Sequence, residues 1–212
     1  MNIKIIIVSA VFCAASFLIG GIPFGFIIGK LKGHDIRKEG SCNIGATNVT
    51  RVVGPWYGKL CFLCDLLKGF LPVYIARKYF RIENAEYIFI LCGFCAVAGH
   101  MFTPYLKFKG GKGVATAGGV ILALAPLPFV LTFAVWAAVF LSTRYVSLGS
   151  IAASIALPLS ALLLKVTRIQ PHISWTVIIF FAIVGALSIW KHKANIIRLK
   201  NGTELKFEKK GE

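Results

Sequence analysis

An uncharged run near the start of the chain restricts the fold more than any other feature. From Ile5 to Gly29 the sequence contains no charged residue. That run exceeds the roughly 20 residues that a helix needs to cross the core of a bilayer. It also exceeds the apolar core of a cleavable signal peptide, which has about 7–15 residues, and further apolar runs follow it. The chain is therefore predicted to be an all-α integral membrane protein, a bundle of membrane helices.

Proline decides how many helices the later apolar runs form. Residues 114–141 would make one helix of about 42 Å, well beyond a bilayer core of about 30 Å. Ala-Pro-Leu-Pro at 125–128 interrupts this run, and proline removes a backbone donor and clashes with the preceding turn. Two short helices are predicted there. The sequence thus predicts one domain, residues 1–212, with seven spans at residues 4–29, 56–76, 86–106, 113–126, 127–142, 147–165 and 173–190.

The net charge of +16 fits nucleic-acid binding, adhesion to anionic lipid, or the excess of basic residues in the cytoplasmic loops of a multispan protein. The third interpretation is preferred for so apolar a chain, and no nucleic-acid partner is expected. Six spans would send the basic tail across the membrane, so we predict seven, with the N-terminus outside and the C-terminus in the cytoplasm. The inner side then holds most of the basic residues: Lys30, Lys32, Arg37, Lys38, Arg51, Lys107, Lys109, Lys112, Arg144, Lys191, Lys193, Arg198, Lys200, Lys206, Lys209 and Lys210.

Six cysteines raise the question of a metal or redox site, because Cys61–Cys64 and Cys92–Cys95 are both C-x-x-C pairs. Zinc knuckles of this spacing lie on polar loops. Both pairs lie inside apolar runs, where cysteine behaves as a small hydrophobic residue. We expect reduced thiols, no metal and no cofactor.

Small polar residues and glycines concentrate in the loops assigned to the cytoplasm. The longest such loop is residues 38–54, in which Gly40 and Gly45 permit turns that expose backbone N–H groups. Concavities of this kind hold phosphate oxygens, and the guanidinium of Arg51 matches a phosphate dianion. The side chains of this loop that offer hydrogen bonds are Ser41, Asn43, Thr47 and Asn48. An ordinary polar connector is the alternative interpretation.

A second glycine-rich loop precedes the fourth span. Gly110, Gly111 and Gly113 surround Lys112, and the N-terminus of a helix favours an anion. The spacing is not that of a nucleotide P-loop. Taken alone, this loop is equally well explained as a flexible segment with one basic residue.

Two further groups carry polar side chains on the same side of the membrane. Ser150 lies in RYVSLGS, residues 144–150, and His192 and Asn195 lie in the segment 191–204. Residues three apart share a face of a helix, so His192 and Asn195 are predicted to point the same way. A structural histidine is the alternative.

These motifs together resemble a known family. GGIPFG at 20–25, GSCNIGATNVTR at 40–51, FKGGKGVAT at 108–116, YVSLGS at 145–150 and the H-x-x-N of 192–195 are similar to the motifs of the bacterial acyl-phosphate-dependent glycerol-3-phosphate acyltransferases. The resemblance covers nearly the whole chain, with the motifs in the same order.

The resemblance implies a seven-helix enzyme of the bacterial cytoplasmic membrane with its active site on the cytoplasmic face. Its substrates would be glycerol 3-phosphate and acyl phosphate, and it would make 1-acyl-glycerol 3-phosphate beside membrane lipid without using acyl-CoA. Lys112 would hold the substrate phosphate and the acyl-phosphate head. The other implied residues are Ser41, Asn43, Thr47, Asn48 and Arg51 at the phosphate and glycerol site, with Gly110, Gly111 and Gly113 beside them, and Ser150, His192 and Asn195 on the polar floor.

Two positions depart from the family pattern. Gly21 stands where the first motif usually has serine, and Cys42 stands where the second usually has glycine. A positive φ costs a non-glycine residue about 1 kcal/mol or more. We therefore predict a negative φ at Cys42.

Ionisable residues outside the motifs allow other interpretations. Asp65 and Lys68 lie three apart in an apolar span, where unpaired charge is expensive; mutual pairing and a polar wall beneath the active site are both open. His34 and Glu39 nearly match an H-x-x-x-x-D acyltransferase motif but lie in a charged, solvated segment. A transporter of a small phosphorylated anion is the alternative function, although such proteins often show internal repeats, and none is found here.

Overall fold

The computed structural model describes residues 3–207, and over that range the chain forms helices and no strand. Its contacts divide into two compact units, the first ending at Leu124 and the second beginning at Ala125. Two of the basic residues assigned to the inner side, Lys209 and Lys210, lie outside the described residues.

The first unit contains six α-helices, and its first predicted span is broken. Pro23, which cannot donate a backbone hydrogen bond, separates the first two helices. The predicted continuous helix over residues 4–29 is therefore two helices in the structure. The bounds are α1 Ile3–Gly21, α2 Phe24–Leu31, α3 Ala46–Val52, α4 Pro55–Tyr79, α5 Glu86–Met101 and α6 Val114–Leu124, with a short 3-10 turn at Pro104–Leu106.

Glycines let the helices of the first unit pack closely. A Cβ atom on Gly20 of α1 would lie 2.2 Å from the carbonyl oxygen of Ala96 on α5. A Cβ atom on Gly119 of α6 would lie 2.0 Å from the carbonyl oxygen of Leu66 on α4. Such small residues at helix crossings are typical of membrane bundles, in which close backbone packing stabilises helix association.

The second unit contains α7 Pro126–Thr143, α8 Val146–Val166, α9 Trp175–Lys191 and α10 Lys193–Lys200. The predicted break between the fourth and fifth spans is confirmed, because α6 ends at Leu124 and Pro126 occupies the first turn of α7. Proline suits that position, where its missing N–H would have no helical partner. The hydroxyl of Ser174 accepts a 3.1 Å hydrogen bond from the backbone N–H of Val177 and so caps α9.

Four helical segments in residues 3–207 are long and apolar enough to cross a membrane, or five if α9 and α10, which are bent by 57°, count as one. Helix α4 does not pass this test, and it carries the Asp65–Lys68 pair. Helix α6 has 11 residues and so extends only about 17 Å. Every predicted segment nevertheless contains a helix. The chain is thus a multi-pass membrane protein by composition and helix length.

Candidate active site

Asn48 organises the loop that the sequence identified as a phosphate site. Its side chain is buried in α3, where Oδ1 accepts a 2.7 Å hydrogen bond from the N–H of Ser41. Its amide Nδ2 donates to the carbonyl oxygens of Ile36 and Glu39 at 2.8 and 3.0 Å. These bonds tie both ends of the turn to one side chain. Asn48 therefore determines the shape of the loop.

The prediction of a negative φ at Cys42 is wrong. Cys42 has a φ of +57°, and its N–H donates a 3.0 Å hydrogen bond to the carbonyl oxygen of Glu39. Gly40 also has a positive φ, of +59°. The turn closes on Asn48 through the left-handed residues Gly40 and Cys42. The hydrogen bonds of the buried Asn48 side-chain amide offset the strain at Cys42. A side chain is thus tolerated where the family pattern has glycine.

The remaining polar residues of this loop lie around the short helix α3. Asn43 accepts a 2.9 Å hydrogen bond from the N–H of Gly45 and so shapes the turn before α3. Thr47 and Arg51 follow on α3, and both side chains are partly buried. The apolar side of this segment, including Ile44 and Val49, packs into one core cluster. The core thus holds α3 in place and leaves its polar residues partly accessible.

Charged residues brace the start of the same loop. The carboxylate of Glu39 accepts from His34 Nδ1 at 2.8 Å and from the N–H of Asp35 at 3.0 Å. Hydrogen bonds from Arg37 hold the pKa of the Asp35 carboxyl well below its usual range. His34 and Glu39, which resemble an acyltransferase motif in sequence, therefore form a partly exposed hydrogen-bonded pair that closes a turn.

The glycine loop before α6 lies against His100 of α5. The N–H of Gly111 donates a 3.0 Å hydrogen bond to the carbonyl oxygen of His100. A Cβ on Gly111 would lie 2.2 Å from Nε2 of the same residue. Gly113, with a φ of +83°, turns the chain into α6, which begins at Val114. Lys112 therefore stands just before the first turn of a helix, as predicted, with a partly buried side chain.

In the second unit, His192 lies at the bend between α9 and α10 rather than on one continuous helix with Asn195. Both side chains are buried. Nδ1 of His192 lies 2.8 Å from the carbonyl oxygen of Ser188. Because a carbonyl oxygen only accepts, Nδ1 carries the hydrogen, and in the neutral ring the lone pair is on Nε2. The ring is thereby oriented as a base or a hydrogen-bond acceptor at Nε2.

Glu204, which the sequence reasoning did not single out, binds the predicted site residue Asn195. Its carboxylate accepts hydrogen bonds from Asn195 Nδ2 at 2.7 Å, Arg198 Nε at 2.7 Å and Ser147 Oγ at 2.9 Å. Burial raises the pKa of Glu204, but these hydrogen bonds outweigh it, and the pKa falls below the usual value. Asn195 is thus held by a carboxylate. The available signal was one acidic residue within the basic segment 191–207.

Ser150, predicted as part of the polar floor, is buried in the second turn of α8. Its hydroxyl donates a 2.8 Å hydrogen bond to the carbonyl oxygen of Val146. The neighbouring Ser147 reaches Glu204 instead. The structure thus links Asn195 to Ser147 through one carboxylate and leaves Ser150 bonded to its own helix.

The predicted pairing of Asp65 with Lys68 is confirmed by a 2.7 Å distance between Asp65 Oδ1 and Lys68 Nζ. The six cysteines are all free thiols. Within residues 3–207, no cluster of three or more histidine, cysteine, aspartate or glutamate side chains has a geometry that would hold a metal ion.

Comparison with known proteins gives a consistent result along the chain. Residues 10–202 match the family model described as glycerol-3-phosphate acyltransferase. The glycerol-3-phosphate acyltransferase of Desulfotalea psychrophila is 47% identical over 202 residues, which cover 94% of this chain and 98% of the relative. That of Aquifex aeolicus is 47% identical over 193 residues, which cover 91% and 95%.

Solved structures agree with the sequence relatives. The glycerol 3-phosphate form of PlsY (YgiH), an integral membrane glycerol 3-phosphate acyltransferase, superposes with a TM-score of 0.85 at 44% identity, covering 94% of this chain and 96% of that one. The lysophosphatidic acid form of the same enzyme gives a TM-score of 0.82 at 43% identity, with 94% and 95% covered.

Proposed function

This chain belongs to the glycerol-3-phosphate acyltransferase family, and from that premise we propose that it transfers an acyl group from acyl phosphate to glycerol 3-phosphate. The products are 1-acyl-glycerol 3-phosphate and inorganic phosphate. The observation that carries the proposal is the full-length similarity to PlsY, whose two structures are described as a glycerol 3-phosphate form and a lysophosphatidic acid form. Those two molecules are the acceptor and the product of such a transfer.

The chemistry requires positioning and positive charge more than a covalent intermediate. Acyl phosphate is a mixed anhydride with a good leaving group. The primary hydroxyl oxygen of glycerol 3-phosphate bonds to the acyl carbon, and the bond from that carbon to the phosphate oxygen breaks. Phosphate leaves with the electron pair, and the hydroxyl proton passes to a base. Cations and N–H groups that face the developing charge lower the barrier.

Arg51 and Lys112 are the cations proposed for this step. Arg51, on the partly buried helix α3, pairs with a phosphate dianion through two parallel N–H groups. Lys112, between Gly111 and Gly113, faces the acyl-phosphate head at the start of α6. Asn48 holds the backbone of Ser41 in place, Asn43 lies in the turn before α3, and Thr47 lies on α3. Glycines at 110 and 111 allow this loop to pack closely against His100.

The other polar groups proposed for the reaction are Asn195, Ser150 and His192. Asn195, fixed by Glu204, donates or accepts a hydrogen bond at the substrate, and Ser150 contributes to the polar floor. For the proton, two acceptors are in question: Nε2 of His192, and the phosphate of the substrate itself. We favour the substrate phosphate, with His192 holding the hydroxyl by a hydrogen bond.

The proposed enzyme lies in the bacterial cytoplasmic membrane with seven crossings, its N-terminus outside and its active site on the cytoplasmic face. The helices in all seven predicted segments and the large apolar surface support this arrangement. The asymmetry of basic residues supports the orientation.

The direct test uses the full chain purified in detergent, mixed with glycerol 3-phosphate and a long-chain acyl phosphate. We expect release of inorganic phosphate and equal formation of 1-acyl-glycerol 3-phosphate, without any membrane gradient. The matched control replaces acyl phosphate by acyl-CoA of the same chain length and gives no product. Phosphate transport by reconstituted vesicles without product in detergent would instead support a carrier.

A further inference from the structure

A buried ion pair lies in the apolar interior of the first unit and does not belong to the site described above. Asp65 and Lys68 are one turn apart on α4, and each side chain is only 3% exposed. Ionised side chains at this depth are expensive, and replacing a buried pair by apolar groups is often neutral or stabilising. Helix packing alone therefore gives no reason for the pair.

The contacts of Lys68 lead to the break between α1 and α2. Its Nζ donates a 2.7 Å hydrogen bond to the carbonyl oxygen of Ile22 and lies 5.6 Å from the centre of the Phe24 ring. Ile22 precedes Pro23, so its carbonyl lies where the helical hydrogen-bond pattern is interrupted. Lys68 thus fixes an irregular segment of backbone in the first motif.

The contacts of Asp65 lead to the glycine loop. The same Oδ1 that faces Lys68 lies 3.7 Å from Nδ1 of His100, whose side chain is 5% exposed. On the other side of the ring, Nε2 faces Gly111, and the His100 carbonyl oxygen accepts from the Gly111 N–H. Gly110 packs on the same carbonyl, because a Cβ there would approach it to 2.1 Å.

From these contacts we propose that Asp65, Lys68 and His100 form a positioning network that holds Gly110 and Gly111, and through them Lys112, at the place required for acyl transfer. This inference rests on the proposed function. The three residues do not touch the substrate. The carboxylate of Asp65 faces the imidazole across 3.7 Å, a distance for an electrostatic contact rather than a hydrogen bond. The imidazole packs against the loop at Gly111, and Lys112 follows Gly111 directly in the chain.

The network acts on the chemical step more than on acceptor binding. Displacement of a positioned group by about 1 Å can cost about a hundredfold in rate. Of the two contacts expected for Lys112, with the substrate phosphate and with the acyl-phosphate head, only the second meets the charge that develops as phosphate departs. Most of the groups proposed to bind glycerol 3-phosphate lie instead in the loop held by Asn48 and on α3. Loosening the glycine loop should therefore lower kcat and leave the KM for glycerol 3-phosphate nearly unchanged.

The experiment compares the wild type with the double variant Asp65→Asn/Lys68→Met, which removes both charges and leaves neither unpaired. Each is the full chain in detergent, assayed with glycerol 3-phosphate and acyl phosphate. We expect kcat to fall at least about tenfold while the KM for glycerol 3-phosphate stays within about threefold. The thermal midpoint should change little, since a buried pair adds little net stability.

Thr116→Val provides the matched control. Thr116 is also buried in the first unit, and its hydroxyl has no hydrogen-bond partner in the described residues. Replacement by the isosteric valine should leave kcat within about twofold of wild type. A folded double variant with kcat within about threefold of wild type overturns the inference. It is also overturned if kcat and the thermal midpoint fall while the KM for glycerol 3-phosphate rises in parallel.

A second pair of variants covers the case in which the double variant does not fold. His100→Asn keeps a polar side chain facing the Asp65 carboxylate, whereas His100→Leu puts an apolar one there. We expect the leucine variant to lose at least about tenfold in kcat and the asparagine variant to keep clearly more. Equal activities, or failure of the leucine variant to fold, overturn the inference in favour of a purely structural role. An inactive wild type would contradict the proposed function itself.

Discussion

Several polar side chains in this protein form hydrogen bonds that hold loops in place. Asn48 saturates three backbone groups of its own loop, and Glu204 gathers Asn195, Arg198 and Ser147. In both places one side chain provides the hydrogen bonds that a helix or a sheet would otherwise provide. Fully satisfied polar networks rigidify the structure around them, so we expect these supports to fix the groups that are proposed to face the substrate.

Glu204→Gln should lower both stability and turnover, because hydrogen bonds to a charged acceptor contribute about 1.5–3 kcal/mol each. The exposed Glu83→Gln is the matched control and should behave as wild type. Thermal midpoints in detergent and phosphate release measure the two effects. A Glu204→Gln variant as stable and active as the control would contradict the role of this carboxylate.

The contribution of Glu204 should also depend on pH. Its pKa in the folded protein lies below the usual 4.5, so the folded state binds this proton less readily than the unfolded chain. The stabilisation is therefore complete above about pH 4.5 and is lost as the pH falls through the folded-state pKa. The difference in thermal midpoint between wild type and Glu204→Gln should shrink in that acidic range and stay constant near neutrality.

His192→Ala separates the two proposed proton acceptors. If the substrate phosphate takes the proton, turnover should stay within about tenfold of wild type, whereas loss of a general base costs about a hundredfold or more. Steady-state phosphate release measures the difference. A loss of a thousandfold with unchanged thermal midpoint would assign the proton to Nε2 of His192.

The helices of the first unit pack against one another most closely at glycines. Gly20 and Gly99 lie on α1 and α5, and added Cβ atoms would approach the carbonyl oxygens of Ala96 and Phe17 to 2.2 and 2.1 Å. Lipid chains are as apolar as leucine, so burial against lipid gives these helices little reason to associate. Close backbone contact therefore carries the association.

Gly20→Leu should force α1 away from α5. Overpacking of this kind typically costs about 1–3 kcal/mol or more, which corresponds to a fall of several degrees in the thermal midpoint of a protein of this size. Ala14→Leu on the exposed face of the same helix places the same side chain towards lipid and should change nothing. Equal midpoints for the two variants would contradict this account of the crossing.

At the scale of the whole molecule, the distribution of basic residues predicts the orientation in the membrane. Basic residues gather in the segments that the seven-span arrangement assigns to the cytoplasm, and few lie in the others. Translocation of such loops is disfavoured, so the proposed arrangement places the phosphate-binding loops with them.

Reporter fusions test this orientation. A fluorescent protein that folds only in the cytoplasm, fused after Glu212, should fluoresce, and the same reporter fused after Gln170 should not. Alkaline phosphatase, which is active only outside the cytoplasm, should give the opposite pattern at both positions. Fluorescence at both positions, or an N-terminus accessible from the cytoplasm, would contradict seven crossings.

The amino-acid sequence by itself determined the helical membrane character, the break near Pro126, the family and the order of the motifs. These properties depend on composition and on local chemistry, such as the missing N–H of proline, which neighbours along the chain decide. The pairing of Asp65 with Lys68 was also predictable, because one helical turn brings residues three apart together.

The tertiary structure alone decided which polar residues support the site and which face a substrate. Asn48 and Glu204 are separated in sequence from several of the groups they bind, and the contact of His100 with Gly111 joins α5 to the loop before α6. The left-handed Cys42 was also not predictable from local preference, because the hydrogen bonds of the buried Asn48 to residues 7–12 positions away hold the turn in which its cost of about 1 kcal/mol or more is tolerated. Local preference predicts a helix or a turn, but a contact between distant segments depends on how the whole chain packs.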